Sequence, residues 1–267
     1  MIHQLACVHP DARIGENVVI EPFVNIAGDV VIGDGTHVMS NAVIMDGARI
    51  GKNCKILPGA VISGIPQDLK FKGEYTTVEI GDNTTIRECV TVNRGTNAKQ
   101  KTVVGNNCLL MAYVHVAHDV KIGNNCVLVS YTGIAGEVEI DDWAIISGGT
   151  LIQQFTRIGA HVMIGGSCNV RKDVPPYVRA AREPMTFVGV NSIGLRRRGF
   201  TNEKIWEIQD IYREIYQKGM NNSDALKYIE ENYSPSEERD NIINFVRSSK
   251  RGIIKGYVAE SDAGEDD

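Results

Sequence analysis

From Ile2 to Val170 an aliphatic residue returns at almost every sixth position. The register runs Ile2, Val8, Ile14, Ile20, Ile26, Ile32, Val38, Ile44, Ile50, Ile56 and Ile62. It resumes at Ile80, Ile86 and Val92, then continues from Val104 through Leu110, Val116, Ile122, Leu128, Ile134, Ile140, Ile146, Ile152, Ile158 and Ile164 to Val170. A short fixed period marks a solenoid, and a hexapeptide period marks a parallel β-helix. Four residues after each anchor stands a small or β-branched residue, such as Ala12, Val30, Cys54, Thr84, Thr96, Cys108, Val120 or Thr150. Two inward positions in each hexapeptide suit a short strand whose alternate side chains face opposite ways. The position after the anchor is often glycine (Gly15, Gly33, Gly51, Gly81, Gly105, Gly123, Gly159, Gly165), which predicts tight corners with positive φ. Gly15, Gly33 and Gly51 recur at every third hexapeptide, so three hexapeptides make one triangular coil. Coils stacked about 4.8 Å apart give a rod of roughly nine coils, about 45 Å long.

A chain of 267 residues can hold one long domain or two. Aromatic residues are sparse in the repeats and denser after Pro175, which places a boundary there. The expected organisation is a β-helix over 1–174, a connecting segment over 175–200, a helical domain over 201–256 and an acidic, disordered tail over 257–267. Loops interrupt the rod at 63–79 and 94–103, where the anchors fail. Thr201 reads as a helix N-cap before Ile205, Ile208, Tyr212 and Ile215. Further helices are expected over 223–232 and after Pro235, with Ile242, Ile243 and Val246 on one face.

The net charge of −5 argues against a nucleic-acid binder. Of six cysteines, Cys54, Cys108, Cys126 and Cys168 take the small inward slot and read as core residues, and there is no CxxC pair. No apolar run reaches membrane length and the first residues lack a signal pattern, so a cytoplasmic location is expected.

Two of the six histidines fall in HVAHD, as His115 and His118 before Asp119. Neither occupies an inward slot, so both are expected on the outside of the rod. A neutral imidazole takes a hydroxyl proton near pH 7, and an adjacent carboxylate can fix its tautomer. Two other readings compete: histidines without a role on a solenoid, and a three-histidine zinc site from His115, His118 and His161.

The segments GIPQDLKFKGE, IRECVTVNRGT, LLMAYVHVAHDVKIGNNC, GAHVMIGG, VPPYV and GVNSIGLRRRGF resemble the UDP-N-acetylglucosamine O-acyltransferases that open lipid A biosynthesis. The resemblance runs from Ile2 to about Arg251. It implies a left-handed parallel β-helix with a small C-terminal α-helical domain, assembled as a homotrimer with active sites between neighbouring rods. The implied reaction moves a 3-hydroxyacyl group from acyl carrier protein to the 3-hydroxyl of UDP-N-acetylglucosamine, without metal or cofactor. His118 matches the family's general base, Asp119 its orienting acid, and the backbone of Gly136 its oxyanion donor. Asp68, Lys70, His115 and Gln154 resemble substrate contacts. Asn191, Arg197 and Arg198 resemble groups that hold the nucleotide diphosphate or the carrier's phosphopantetheine, and Gly166 matches the site that limits acyl length. A basic cluster at residues 196–198 also suits acidic acyl carrier protein.

Four positions depart from the family pattern: Asn93, Glu137, Gln153 and Ile193. They leave open a related acceptor, the 3-amino sugar nucleotide. The pathway's N-acyltransferase carries a globular domain before its β-helix, whereas the repeat here starts at Ile2. A metal-dependent β-helical carbonic anhydrase and an ice-binding scaffold are the other classes the repeat admits. Glycine at 166 leaves the acyl groove open, and each added buried methylene contributes about 0.8 kcal/mol. In a competition assay, ~14-carbon donors are therefore expected to outcompete ~10-carbon donors.

Overall fold

The computed structural model describes residues 1–256, and the acidic tail expected over 257–267 lies outside the described residues. Very short strands wind into three parallel sheets that form the faces of a prism. Among the described residues the faces carry nine, eight and eleven strands. The first face begins with Cys7–Val8, the second with Arg13–Ile14 and the third with Val19–Ile20. Successive turns pair at a distance of three hexapeptides, as in His115↔Gly133 and Val116↔Ile134. The amide of each strand donates to a carbonyl one coil on, as from His115 to Thr132 at 2.9 Å and from Ala117 to Ile134 at 3.0 Å. The prism is the left-handed parallel β-helix, and a helical segment closes its C-terminal end.

The hexapeptide pattern fills the interior. From Ile20 onward the anchors are buried, and so are the small-slot residues, including Cys54, Cys108, Cys126 and Cys168 as free thiols. Burying one such aliphatic side chain contributes about 1.5–3 kcal/mol. Val8 and Ile14 are only half-buried and Ile2 is 52% exposed, because they belong to the first coil, which Ile2 joins through its bridge to Ile20, and no coil covers it from below. Inward hydroxyls and thiols bond to corner carbonyls of the next coil: Thr36 to Gly51, Cys54 to Gly81, Thr84 to Gly105, Cys108 to Gly123 and Cys126 to Asp141.

The corner glycines correct the expectation of positive φ. Gly15, Gly33, Gly51, Gly105 and Gly123 are not left-handed; the left-handed residue lies two positions on, at Asn17, Asn53, Asn107 and Asn125. The glycines are required by coil stacking instead. A Cβ on Gly105 would lie 2.5 Å from the Gly123 carbonyl oxygen and 2.6 Å from its carbon. At the same corner a ladder of side-chain oxygens accepts the amides of the preceding coil: Asp82 from Lys52, Asn106 from Asp82, Asn124 from Asn106 and Asp142 from Asn124.

Two excursions leave the prism, and both are shorter than the sequence suggests. Strands Val61–Gly64 and Thr77–Ile80 bracket the first, and strands Thr91–Asn93 and Lys101–Val104 bracket the second. Thr91 stands five hexapeptides after its partner Val61, and His115 four after Thr91, instead of the usual three. The excess is a whole number of hexapeptides in both cases, which is why the anchor register resumes in phase. Thr96 keeps that phase in sequence but is not a core residue. It lies in the excursion, and Thr102, aligned with Val78 and fully buried, takes the inward slot.

The segment 175–200 is more than a connection. Val178–Ala181 extends the third face beside Met163–Ile164, and Thr186–Val190 pairs with it antiparallel. Helix α1 (Ser192–Arg197) follows, then α2 (Asn202–Gln217), α3 (Asn222–Asn232) and α4 (Glu237–Ser248). Thr201, Asn221 and Ser236 cap the last three by accepting amides of the first turn. Ile205, Ile208, Ile211, Tyr212 and Ile215 of α2 form the buried stripe, and the Tyr212 hydroxyl donates to the Pro176 carbonyl at 2.6 Å. No helix among the described residues is long and apolar enough to cross a membrane.

Gly105→Ala is expected to lower unfolding stability by about 1–3 kcal/mol, since its methyl meets backbone that cannot rotate away. Chemical denaturation of the two proteins measures the difference.

Candidate active site

The first face turns toward the second at a corner occupied, one coil after another, by His118, Gly136 and Gln154. Three hexapeptides separate each from the next, so the repeat register alone stacks them in a column. His118 is not on an open exterior, as the sequence suggests, but only 9% exposed, and Asp119 is 1% exposed. Both excursions converge on this corner. The first brings Asp68, whose Oδ2 lies 3.9 Å from His118 Nε2. The second lays the backbone of Thr96 and Lys99 over Asp119. Glu74 ties the excursions together, accepting from the Lys72 and Asn97 amides.

Asp119 occupies the left-handed corner position at φ 61°. Its Oδ1 accepts from the amides of Thr96 at 2.9 Å and Lys99 at 3.2 Å. Its Oδ2 takes the Thr96 hydroxyl at 2.6 Å and His118 Nδ1 at 2.9 Å. The Asp119 amide donates to Thr102 Oγ1 at 2.8 Å. A carboxylate supplied with this many donors remains an acceptor, so the His118 Nδ1 carries the proton and Nε2 presents its lone pair outward. The His118 ring rests on Gly136: a Cβ there would stand 2.5 Å from Cε1 and 2.6 Å from Nε2. Gly136 is buried, and among the described residues its N–H has no acceptor within the chain. The corner therefore offers a base, its orienting carboxylate and an uncommitted backbone donor within one coil of each other.

His115 projects from the first face between Thr91 and Gly133, with Nδ1 2.7 Å from the Thr91 hydroxyl. Burial pushes its pKa below the usual histidine value. Lys70 is exposed near the loop tip, and its amide donates to Asp68 Oδ1 at 2.9 Å. Gln154 is half-buried, and its carboxamide has no partner among the described residues.

Other residues singled out from the sequence lie elsewhere on the same chain. Gly166 is exposed at the corner where the third face turns into the first. Asn191 caps α1, accepting from the Gly194 amide at 3.2 Å and donating to the His161 carbonyl at 2.9 Å. Arg198 lies 3.2 Å from His161 Nδ1 and over the Trp143 ring, whereas Arg197 is exposed and unpaired among the described residues. His161 is packed among Trp143, Tyr177 and Phe200, and burial with the Arg198 charge lowers its pKa to about 4. It belongs to the corner between the second and third faces, away from His118. Among the described residues no three His, Cys, Asp or Glu side chains are grouped to hold a metal.

The four departures have distinct surroundings. Asn93 anchors the first excursion, donating to the Ile65 carbonyl at 3.0 Å. Glu137 is half-buried beside Gly136, while Gln153 and Ile193 are exposed. The sequence did not single out Thr91, Thr96 or Thr102 as site residues. The polar composition around Thr96 marked a loop but carried no sign of where it would fold back.

The hexapeptide prism is the architecture of a class, the hexapeptide-repeat transferases, to which the repeats point. The family model for bacterial transferase hexapeptide repeats matches 11–44, 29–64 and 101–136, and that for UDP-N-acetylglucosamine O-acyltransferase, domain 2, matches 173–254. The chain is 42% identical over 260 residues to the acyl-[acyl-carrier-protein]–UDP-N-acetylglucosamine O-acyltransferase of Janthinobacterium sp. (strain Marseille), covering 96% of this chain and 99% of that protein. The solved UDP-N-acetylglucosamine acyltransferase of Bacteroides fragilis superposes with a TM-score of 0.94 at 57% identity, covering 96% of this chain and 100% of that one. That of Francisella novicida gives 0.93 at 41% identity, covering 96% and 94%. The chain belongs to the acyl-[acyl-carrier-protein]–UDP-N-acetylglucosamine O-acyltransferase family.

A methyl group at residue 136 cannot coexist with the present ring position. In a crystal structure of Gly136→Ala, His118 is expected to be displaced and its 2.9 Å bond to Asp119 broken, with the coils otherwise unchanged.

Proposed function

We propose that this chain transfers a 3-hydroxyacyl group from acyl carrier protein to the 3-hydroxyl of UDP-N-acetylglucosamine. The observation that carries the reading is the corner at His118. An Nδ1-protonated imidazole is bound to a buried carboxylate and rests beside a free backbone N–H. The relatives' shared name supplies the substrate classes. Those relatives favour the O-acyltransferase over the 3-amino acceptor and over a carbonic anhydrase.

A sugar hydroxyl is a poor nucleophile until its proton is removed. His118 Nε2 takes that proton as the oxygen attacks the thioester carbon. Asp119 holds the imidazole by Nδ1 and stabilises the imidazolium that forms. The carbonyl oxygen gains negative charge in the tetrahedral intermediate and accepts from the Gly136 N–H. One such donor is worth about 10²–10³ in rate. Collapse of the intermediate breaks the carbon–sulfur bond, and the imidazolium returns its proton to the departing thiolate. Asp68 and Lys70 bound the acceptor side of the cleft, His115 faces the substrate on the first face, and Gln154 reaches the sugar nucleotide.

Gly166, Asn191, Arg197 and Arg198 are assigned to acyl-length selection and to phosphate binding. They lie away from the His118 corner of their own chain, so this assignment calls for a neighbouring copy. A homotrimer that sets the corner of one prism carrying Asn191, Arg197 and Arg198 against the first face of the next supplies the phosphate-binding groups, while Gly166 borders the first face itself. Arginine suits the phosphate role because its guanidinium donates in a fixed bidentate fork.

His118→Ala is expected to leave the native circular dichroism intact and reduce product formation by at least ~10³-fold, on the scale of losing a general base and its alignment. His115→Ala is expected to act mainly on KM. Mass spectrometry of products from UDP-N-acetylglucosamine and 3-hydroxyacyl carrier protein measures both. Wild-type product levels from His118→Ala would sink the assignment.

A further inference from the structure

We infer that Thr96 is a positioning residue for the reaction, acting on His118 through Asp119. The inference rests on the function proposed above. The second excursion folds back so that Thr96 is only 7% exposed, although it stands outside the prism. Its hydroxyl donates to Asp119 Oδ2 at 2.6 Å, the oxygen that also accepts His118 Nδ1 at 2.9 Å. Its amide donates to Oδ1 at 2.9 Å. Thr96 thus grips both oxygens of the carboxylate that orients the base.

The Thr96 hydroxyl is itself fixed. The Ala98 amide donates to its oxygen at 3.2 Å, which leaves the hydroxyl proton for Asp119. The Gln100 amide donates to the Thr96 carbonyl at 2.8 Å and closes the turn. Asp119 is in the left-handed region, where a non-glycine residue is held by its surroundings. Its side chain has two ways to relax if Thr96 lets go. It can rotate away from Nδ1, or it can concentrate its charge on Oδ2. The first loses the tautomer that bares Nε2. The second changes the field in which the imidazole takes and returns its proton.

Other groups around the imidazole stay in place in this comparison. Asp119 and Asp68 are the charged partners within ion-pair range of His118 among the described residues. His115 shares the HVAHD segment, Glu137 flanks Gly136 on the next coil, and the Lys99 ammonium is paired with Glu139 at 2.8 Å. Removing one hydroxyl changes none of these charges.

The test compares Thr96→Val, Thr96→Ala and Thr96→Ser with the unsubstituted protein, using UDP-N-acetylglucosamine and a 3-hydroxyacyl carrier protein. Thr96→Val and Thr96→Ala are expected to lose about tenfold or more in kcat, the scale of one charge-assisted hydrogen bond. KM for the sugar nucleotide should stay within about twofold, because the missing group does not touch it. Thr96→Ser, which retains the hydroxyl, should turn over within about threefold of the parent. In an Asp119→Asn background, Thr96→Ala should add little further loss, since two members of one network do not act additively. Full kcat in Thr96→Ala would overturn the inference. So would a Thr96→Ser variant as slow as Thr96→Ala, or losses that multiply in the Asp119→Asn background. If Thr96→Val fails to fold, Thr96→Ala and Thr96→Ser carry the comparison. Failure of the unsubstituted protein to form product would overturn the proposed function and this inference together. Normal turnover with an indifferent Thr96→Ala would overturn this inference alone.

Discussion

Everything in this molecule follows from the demand that each coil lie directly on the one before it. The prism's strands are too short to be stable alone, and for most of the rod each finds its backbone partners three hexapeptides away. Close stacking then dictates what may stand at each position. Glycine is needed where a Cβ would strike the next coil, and an Asx side chain where a corner amide would otherwise lack a partner. A hydroxyl or thiol serves where an inward group can reach a corner carbonyl. The apolar anchors provide the driving force, and these polar contacts hold the coils in register.

The same translation builds the site. A rule that repeats once per coil sets His118, Gly136 and Gln154 in one line, so a base, a backbone donor and an amide need no special folding to meet. What the repeat cannot provide is shelter from water, because a corner of a prism is convex. The two excursions supply it, one presenting Asp68 to the imidazole and the other enclosing Asp119. Low exposure strengthens the hydrogen bonds of the His–Asp pair relative to a wet surface. The scaffold thus fixes position, and the departures from the scaffold fix environment.

The architecture was legible because the inward positions obey a strict period, and each violation, at 63–79 and 94–103, marked an excursion. The helices of the C-terminal segment were equally visible, since Thr201 and the Ile205, Ile208, Ile215 spacing state a cap and a buried stripe. The role of the corner glycines was misread, because coil-to-coil crowding is a property of the stack and not of the local sequence. The same holds for Thr96, whose place in the hexapeptide register disguised it as a core residue. The covering of His118 could not be read either, because it depends on where two polar loops return. Residues 175–200 carry no repeat, so a strand pair and α1 there left little trace beyond Pro175 and Pro176.

The two excursions lengthen the path between stacked partners by two hexapeptides and by one, so neither shifts the phase of the strands above it. Each leaves the lattice and rejoins it at the equivalent point, like a stitch dropped and picked up in the same row. The loops can therefore change in sequence while the column of corner residues keeps its alignment. What covers the imidazole becomes embroidery on a fabric whose weave is left untouched.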